Sequence, residues 1–133
     1  MIRSRDANDF PFPGTPTATD GSGAVVHAET HASEAAGAYP ITPSTQMGEG
    51  WALAVAAGKR NVFGRRLIFF EPEGEHAAAG VTAGMSMTGL RATNFSSGQG
   101  IAYMHESLYA AAGKRLTYVL NVAARAMTKH ALN

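Results

Sequence analysis

The segment RLIFFEPEGEHAAAGVTAGMSMTGLRATNF, residues 66–95, decides the fold class of this chain. It begins with RLIFF (66–70), a continuous apolar run that has the length of a strand. Residues 73–89 are small and acidic, and their pattern predicts a helix. LRATNF (90–95) is then predicted to be a second strand. A strand, a helix and a strand in succession indicate two parallel strands joined by a crossover helix.

The same alternation extends to both sides of this segment. The other predicted helices are AVVHAETHASEAAG (24–37), STQMGEGWALAVAAG (44–58), GIAYMHESLYAAAG (100–113) and a start within RAMTKHALN (125–133), and the other predicted strands are GAYPIT (37–42) and RLTYVLNVAA (115–124). The first helix is expected to end at Gly37, and Ser44 or Thr45 to cap the second. Apolar strands that alternate with helices predict an α/β fold, a three-layer, doubly wound, mostly parallel sheet buried on both faces.

The composition narrows the class of protein. A chain of 133 residues favours one domain, and its net charge of +1 with 16% charged residues argues against nucleic-acid binding, which needs clustered Lys and Arg. The absence of cysteine excludes disulfides and cysteine-held iron–sulfur clusters within these residues. There is no signal-peptide pattern, and no apolar run approaches the roughly 20 residues that span a bilayer. We therefore expect a cytoplasmic protein without a membrane partner.

The two ends of the chain suggest its domain boundaries. Residues 1–23 are rich in Pro, Thr, Asp and Gly without periodicity, so we expect an arm or linker there and one α/β domain over residues 24–133. The chain stops shortly after its last predicted strand, so we expect the domain to be truncated at its C-terminus. The low charge agrees with a surface that is hidden against a partner.

The turn YPITPS, residues 39–44, places Thr42 between two prolines. Pro40 lacks an N–H, and Pro43 restricts Thr42 to extended geometry. One interpretation is a rigid strand-to-helix turn with Ser44 as the N-cap. The other is a hydroxyl fixed in position to meet a ligand at a helix N-terminus, where anions are favoured. The pattern alone leaves both open.

Three glutamates at alternate positions, in EPEGE, follow the strand RLIFF. Acidic residues in the first turn of a helix complement its macrodipole by about 0.3–1 kcal/mol each, which is the structural interpretation. Alternatively, Glu75 is partly buried among small residues and shares a proton with a ligand nitrogen. Ala77, Gly80 and Gly84 fall on one face of this helix, where we expect close approach of a neighbouring helix or a cofactor ring.

Three further features carry less information. FSSGQG (95–100) is a serine–glycine turn that could cradle a polar group, but it lacks the phosphate-loop pattern. Arg125, just past a predicted strand, is either solvated or clamps a carboxylate through two hydrogen bonds. His27 and His31 are four residues apart, but the zincin pattern needs Glu after the first His, so no metal site is predicted.

Taken in order, several segments resemble one known family: DGSGAV, SEAAGAYPITPS, GKRNVFG, EPEGEHAAAG, FSSGQG and AARAMTKHAL. They are similar to the N-terminal pyrimidine-binding domain, in the alpha-type subunit, of pyruvate:ferredoxin oxidoreductases. More broadly they resemble the thiamine-diphosphate-dependent 2-oxoacid:acceptor oxidoreductases. The resemblance covers residues 19–133. It implies the thiamine-diphosphate-binding fold and the oxidative decarboxylation of a pyruvate-like 2-oxoacid, by a component that is inactive alone.

The resemblance also implies roles for individual residues. Glu75 would hydrogen-bond the pyrimidine ring of the cofactor. Thr42 and Arg125 would bind the carboxylate of the substrate. Further cofactor-binding residues implied by the matching motifs are Pro40, Ser97 and Gln99.

The remaining parts of such an enzyme would lie on other domains or subunits. The resemblance implies a partner that holds the diphosphate through Mg²⁺, iron–sulfur clusters on partner domains, ferredoxin as acceptor, coenzyme A as a further substrate, and an oligomer. A non-catalytic, truncated α/β module that acts as a scaffold or interaction subunit is the alternative. A generic nucleotide binder is disfavoured because the dinucleotide fingerprint is missing.

Overall fold

A computed structural model describes residues 14–127 of the chain. The helices are α1 (Gly21–Ala32), α2 (Thr45–Ala56), α3 (Glu75–Met87), α4 (Gly98–Tyr103) and α5 (His105–Gly113), and the strands are β1 (Ala35–Gly37), β2 (Ile68–Phe70), β3 (Ala92–Ser96) and β4 (Tyr118–Val122). Over this part of the chain, no helix is both long enough and apolar enough to pass through a bilayer.

The strands form one parallel sheet in the order β2-β1-β3-β4. Ala36 of β1 pairs with Phe69 on one side and with Thr93 on the other. The chain runs outward from β1 to β2 and then returns past β1 to β3, so the strand order reverses between β1 and β3. The predicted α/β fold with a parallel sheet is confirmed, and ligands of such sheets bind beyond the carboxyl ends of the strands.

Helices cover both faces of the sheet. α1 packs on α2, which contacts β2 and β3, whereas α3 contacts β1, β3 and β4 and packs against α4 and α5. The α2 and α3 crossovers run in opposite directions along the sheet. Because parallel crossovers are right-handed, the two helices lie on opposite faces. The predicted three layers are therefore α1 and α2, then the sheet, then α3 to α5.

The hydrophobic core lies between α2 and the middle of the sheet. Trp51 is fully buried, its ring centroid lies 6.0 Å from that of Phe95, and its Nε1 donates a hydrogen bond of 3.1 Å to the Ile68 oxygen. β1 and β3 are buried at every position, whereas β2 and β4 are partly exposed. Burial on both faces was expected for all strands, but it holds only for the central pair because β2 and β4 are the sheet edges.

The boundary between α1 and β1 differs from the sequence prediction. The helix ends at Ala32 rather than at Gly37, and β1 is formed by residues 35–37 instead of the predicted strand over residues 37–42. A Cβ at Gly37 would stand 2.7 Å from Thr82 Oγ1 and 3.0 Å from the Ala78 oxygen. This strand therefore consists of small residues because α3 packs directly on it. Ala and Gly also suit a helix, which explains the wrong prediction.

Three other boundaries differ. α1 begins at Gly21, where the Asp20 side chain accepts a 2.6 Å hydrogen bond from the Gly23 N–H. The single helix predicted over residues 100–113 is two helices, α4 and α5, separated at the buried Met104. Residues 125–127 have no regular structure, so the described part of the predicted C-terminal helix is not helical. Most of the predicted arm and the rest of that helix lie outside the described residues.

Candidate functional site

The carboxyl ends of the strands carry the loops that contain the predicted site residues. Parallel strands end at the same edge of the sheet, so these loops lie along one edge. The residues are Pro40 and Thr42 after β1, Glu75 after β2, Ser97 and Gln99 after β3, and Arg125 after β4. Contacts between the loops show which of these residues the fold brings together.

Glu75 is the first residue of α3 and is partly buried. Gly100 of α4 lies against it: a Cβ at Gly100 would stand 2.9 Å from Glu75 Cγ and would overlap Ser96 Oγ. Among the described residues the one salt bridge joins Arg65 and Glu34, so the Glu75 carboxylate has no ion-pair partner there. A glycine at position 100 thus allows α4 to pack directly against the side chain of Glu75.

The turn from β3 into α4 contains the next two predicted residues. Ser97 is fully buried and caps α4, because its Oγ accepts a hydrogen bond of 3.5 Å from the Gly100 N–H. The same hydroxyl lies 3.3 Å from Gln99 Oε1, to which it donates. The Ser97 side chain is therefore hydrogen-bonded both to Gln99 and to the first turn of α4, which lies close to Glu75.

The same turn holds the segment that carries Arg125. Gln99 Nε2 donates a hydrogen bond of 3.1 Å to the Ala126 oxygen. A Cβ at Gly98 would lie 3.3 Å from the Arg125 oxygen, so the two main chains are in close contact. The Arg125 side chain is exposed and has no salt bridge with any residue in the range 14–127. Glu75 and the Arg125 segment are thus linked through one turn.

Thr42 and Pro40 are in the loop after β1, where both are exposed. Pro40 lines a cavity of about 220 Å³ whose wall includes Phe69 and Phe95. Ser44 precedes α2, but its hydroxyl donates back to the Ile41 oxygen at 2.7 Å instead of capping the helix. The hydrogen bonds within this loop run from the Ser44 N–H and the Ser44 hydroxyl to the Ile41 oxygen.

The close approach predicted at Gly80 and Gly84 is not made by any described part of the chain. Both residues are exposed, and a Cβ at either would meet nothing within 4 Å. The close approaches that involve α3 occur instead at Gly37 of β1 and Gly100 of α4. The neighbours of α3 therefore do not approach it at Gly80 and Gly84.

The His27 and His31 pair has a local structural explanation. His31 Nδ1 hydrogen-bonds the His27 oxygen at 2.6 Å, and the two ring centroids are 4.4 Å apart. From residue 14 to residue 127, no three His, Cys, Asp or Glu side chains come together as a metal site.

The sequence analysis missed Ser96. It is the last residue of β3 and is 1% exposed, and its hydroxyl has no hydrogen-bond partner among the described residues. The predicted strand stopped at Phe95, so Ser96 was assigned to the turn. The alternation of ATNFS was the available signal, because it places Ser96 on the same face as Asn94.

A family described as "Pyruvate flavodoxin/ferredoxin oxidoreductase, thiamine diP-bdg" matches residues 27–133 of the chain. A pyruvate:ferredoxin oxidoreductase of Moorella thermoacetica is 41% identical over 117 residues, which cover 86% of this chain and 10% of that protein. A pyruvate-flavodoxin oxidoreductase of Enterobacter agglomerans is 36% identical over 122 residues, covering 92% of this chain and 10% of that protein. The chain thus spans about a tenth of the length of these relatives.

The fold is also similar to that of solved structures. The 2-oxoglutarate:ferredoxin oxidoreductase of Magnetococcus marinus, solved with 2-oxoglutarate, coenzyme A and succinyl-CoA bound, superimposes with a TM-score of 0.72 at 24% identity. The match covers 86% of this chain and 19% of that one.

Proposed function

The chain belongs to the thiamine-diphosphate-binding family of pyruvate flavodoxin/ferredoxin oxidoreductases, and on that premise we propose that residues 24–133 are the pyrimidine-binding domain of a 2-oxoacid:ferredoxin oxidoreductase. The complete enzyme would decarboxylate a pyruvate-like 2-oxoacid oxidatively, transfer the acyl group to coenzyme A and pass electrons to ferredoxin. The names of the relatives support this substrate class. Because they are oxidoreductases, the non-catalytic scaffold alternative is not favoured.

Other domains or subunits would complete the site. Partners would hold the diphosphate with Mg²⁺ and carry the iron–sulfur clusters, because this chain has no cysteine and spans about a tenth of its relatives. The chain would therefore be inactive alone. The oligomeric assembly and the cytoplasmic location expected from the sequence stay predictions.

The observation that carries the proposal is the Glu75 carboxylate at the carboxyl edge of the sheet. Thiamine diphosphate contains an aminopyrimidine ring and supplies the electron sink for decarboxylation. The residues present fit the ring: a partly buried carboxyl group without an ion-pair partner among the described residues can share a proton with a ring nitrogen through a hydrogen bond. Gly100 lets α4 pack against Glu75 with no side chain between them.

The other predicted residues would serve the substrate and shape the site. Thr42 and Arg125 would bind the carboxylate of the 2-oxoacid, and both side chains are exposed. The guanidinium of Arg125 can hold a carboxylate through two parallel hydrogen bonds. Residues that would line the cofactor side of the site are Pro40, Ser97 and Gln99.

The proposal is tested with Glu75→Ala in the assembled enzyme. Loss of a hydrogen bond to a charged group costs about 1.5–3 kcal/mol, so thiamine diphosphate affinity is expected to fall about 10- to 150-fold. Most of the 2-oxoacid-dependent reduction of a low-potential dye should be lost as well. Calorimetric titration with the cofactor and the dye assay measure the two effects.

A matched control separates this role from a helix-dipole effect. Glu106 is an exposed acid in the first turn of α5, so Glu106→Ala removes the same charge from a similar position. We expect cofactor affinity and turnover to be unchanged in Glu106→Ala. Near-normal turnover of Glu75→Ala would contradict the proposal.

The role of Arg125 has a separate test. Arg125→Ala is expected to lower kcat/KM for the 2-oxoacid about 10- to 150-fold while cofactor affinity is retained. Arg66→Ala, at another exposed arginine, is the control and should leave kcat/KM unchanged. Unaltered substrate kinetics in Arg125→Ala would remove Arg125 from the site.

A further inference from the structure

Ser96 presents a buried hydroxyl without a hydrogen-bond partner at the carboxyl end of β3. The residue is 1% exposed, and its Oγ is closed to solvent and unpaired among the described residues. An unpaired buried hydroxyl is costly, and the large majority of buried polar side-chain atoms in proteins have a partner. An unpaired hydroxyl beside a proposed site is therefore a candidate for a functional contact.

The position of Ser96 identifies its neighbour. Successive side chains of a strand point to opposite faces, so Ser96 shares a face with Asn94. Asn94 Nδ2 donates a hydrogen bond of 3.1 Å to Thr82 Oγ1 of α3. Ser96 therefore faces the layer formed by α3 and α4, where a Cβ at Gly100 would overlap Ser96 Oγ and stand 2.9 Å from Glu75 Cγ. Ser96 and Glu75 thus contact the same glycine.

We propose that, when thiamine diphosphate binds, the hitherto unpaired Ser96 hydroxyl donates a hydrogen bond to the Glu75 carboxylate and fixes the orientation of its two oxygens for the pyrimidine ring. The proposal rests on the proposed function, because it deepens the role of Glu75. A hydroxyl that donates to one oxygen of the carboxyl group leaves the other oxygen free to share a proton with a ring nitrogen. Ser96 is a positioning residue, since it acts through Glu75.

Two observations favour Glu75 over a ligand as the partner of this hydroxyl. Ser96 Oγ is closed to solvent, so a ligand that enters from the strand ends does not reach it. The Glu75 carboxylate, in contrast, is joined to Cγ by a rotatable bond, and Cγ already lies beside Gly100.

The proposal predicts opposite effects on stability and on binding. Ser96→Ala removes an unpaired buried hydroxyl, so the Tm of the chain should stay the same or rise. Thiamine diphosphate affinity of the assembled enzyme should nevertheless fall about twofold to tenfold, as expected for one hydrogen bond. A residue that served only the fold would lower the Tm and leave the affinity unchanged.

Ser33 provides the matched control. It is also buried, but its Oγ donates a hydrogen bond of 2.6 Å to Glu29 Oε2, at the opposite end of the sheet from the site. Ser33→Ala is therefore expected to lower the Tm and to leave cofactor affinity unchanged. If Ser96 has the proposed role, Ser96→Ala lowers cofactor affinity without lowering the Tm, whereas Ser33→Ala lowers the Tm without lowering cofactor affinity.

The deciding experiment is a double-mutant cycle of Ser96→Ala and Glu75→Ala, with calorimetric titration of the assembled enzyme with thiamine diphosphate and Tm measured on the chain. In support, Ser96→Ala weakens affinity in the wild-type background but not in Glu75→Ala. The inference is overturned if Glu75→Ala weakens cofactor binding and Ser96→Ala does not. It is also overturned if Ser96→Ala lowers the Tm as Ser33→Ala does. In both cases the proposed function stands. If Glu75→Ala leaves affinity unchanged, the proposed function itself fails, and the inference with it.

Discussion

Gln99 Nε2 donates a hydrogen bond of 3.1 Å to the main-chain oxygen of Ala126, so the turn after β3 holds the segment after β4. That segment has no regular secondary structure over residues 123–127. It lies at a sheet edge, where the Ala123 N–H donates a hydrogen bond of 3.0 Å to the Ser96 oxygen. Its contacts with the turn include the hydrogen bond from Gln99 and the close approach of the Arg125 oxygen and Met127 Sδ to Gly98. The side chain of Gln99 is therefore one of the contacts that set the position of Arg125.

We predict that Gln99→Ala raises the KM for the 2-oxoacid in the assembled enzyme. The loss of one hydrogen bond worth about 0.5–1.5 kcal/mol corresponds to about a twofold to tenfold change. Gln46→Ala, at an exposed glutamine of α2, is the control. Steady-state kinetics measure the effect. An unchanged KM together with weaker cofactor binding would show that Gln99 contacts the cofactor instead of supporting Arg125.

Gly100→Ala should disturb both the fold and the site. Its Cβ would overlap Ser96 Oγ and press on Glu75 Cγ, and overpacking of this kind costs about 1–3 kcal/mol. Gly80→Ala is the matched control, because Gly80 is exposed in the middle of α3 with nothing within 4 Å. Gly80→Ala should raise the free energy of unfolding by about 0.5–1 kcal/mol. Urea unfolding of the two variants tests the difference in sign, and equal midpoints would contradict it.

The fold class was predictable from the sequence because RLIFF and its neighbours alternate with helical segments. β1 was not, because Ala35, Ala36 and Gly37 have no side chains that favour a strand over a helix. Their strand conformation follows from the pairing of β1 with β2 and β3 and from the packing of α3 on Gly37, which are long-range effects. Met104 likewise divides a segment whose local pattern is helical throughout.

The candidate site was predictable in part. The rule that ligands bind at the carboxyl ends of parallel strands led to Glu75, Ser97 and Gln99, which lie close together. The sequence does not show which glycines have close neighbours, so Gly80 was singled out while Gly100 was not. An unpaired buried hydroxyl such as that of Ser96 becomes visible only when its surroundings are known.

Glu29 is expected to hold the N-terminal helix to the edge strand β4. It is buried, and its carboxylate accepts hydrogen bonds from Ser33 Oγ at 2.6 Å and from Asn121 Nδ2 at 3.2 Å. Glu29→Ala removes one partner of each donor and should lower the free energy of unfolding by about 1–3 kcal/mol. Glu49→Ala, at an exposed glutamate of α2, should have little effect. Urea unfolding compares the two, and equal stabilities would show that the buried carboxylate does not stabilise the fold.

Tyr118, the first residue of β4, should make the chain less stable at alkaline pH. Burial raises the pKa of its phenol above the usual value of 10.0. The folded state then retains the proton more strongly than the unfolded state does. The contribution of the protonated Tyr118 phenol to the stability of the fold is fully present below pH 10.0, and it is lost as the pH rises through the folded-state pKa.

The test of this pH dependence is Tyr118→Phe. The difference in urea midpoint between the wild type and Tyr118→Phe should be constant below about pH 9 and should then shift against the wild type as the pH passes about 10. Tyr109→Phe, which removes a phenol from an exposed position, is the matched control. If the difference between wild type and Tyr118→Phe stays constant to the highest pH at which unfolding is reversible, burial does not oppose ionisation of Tyr118.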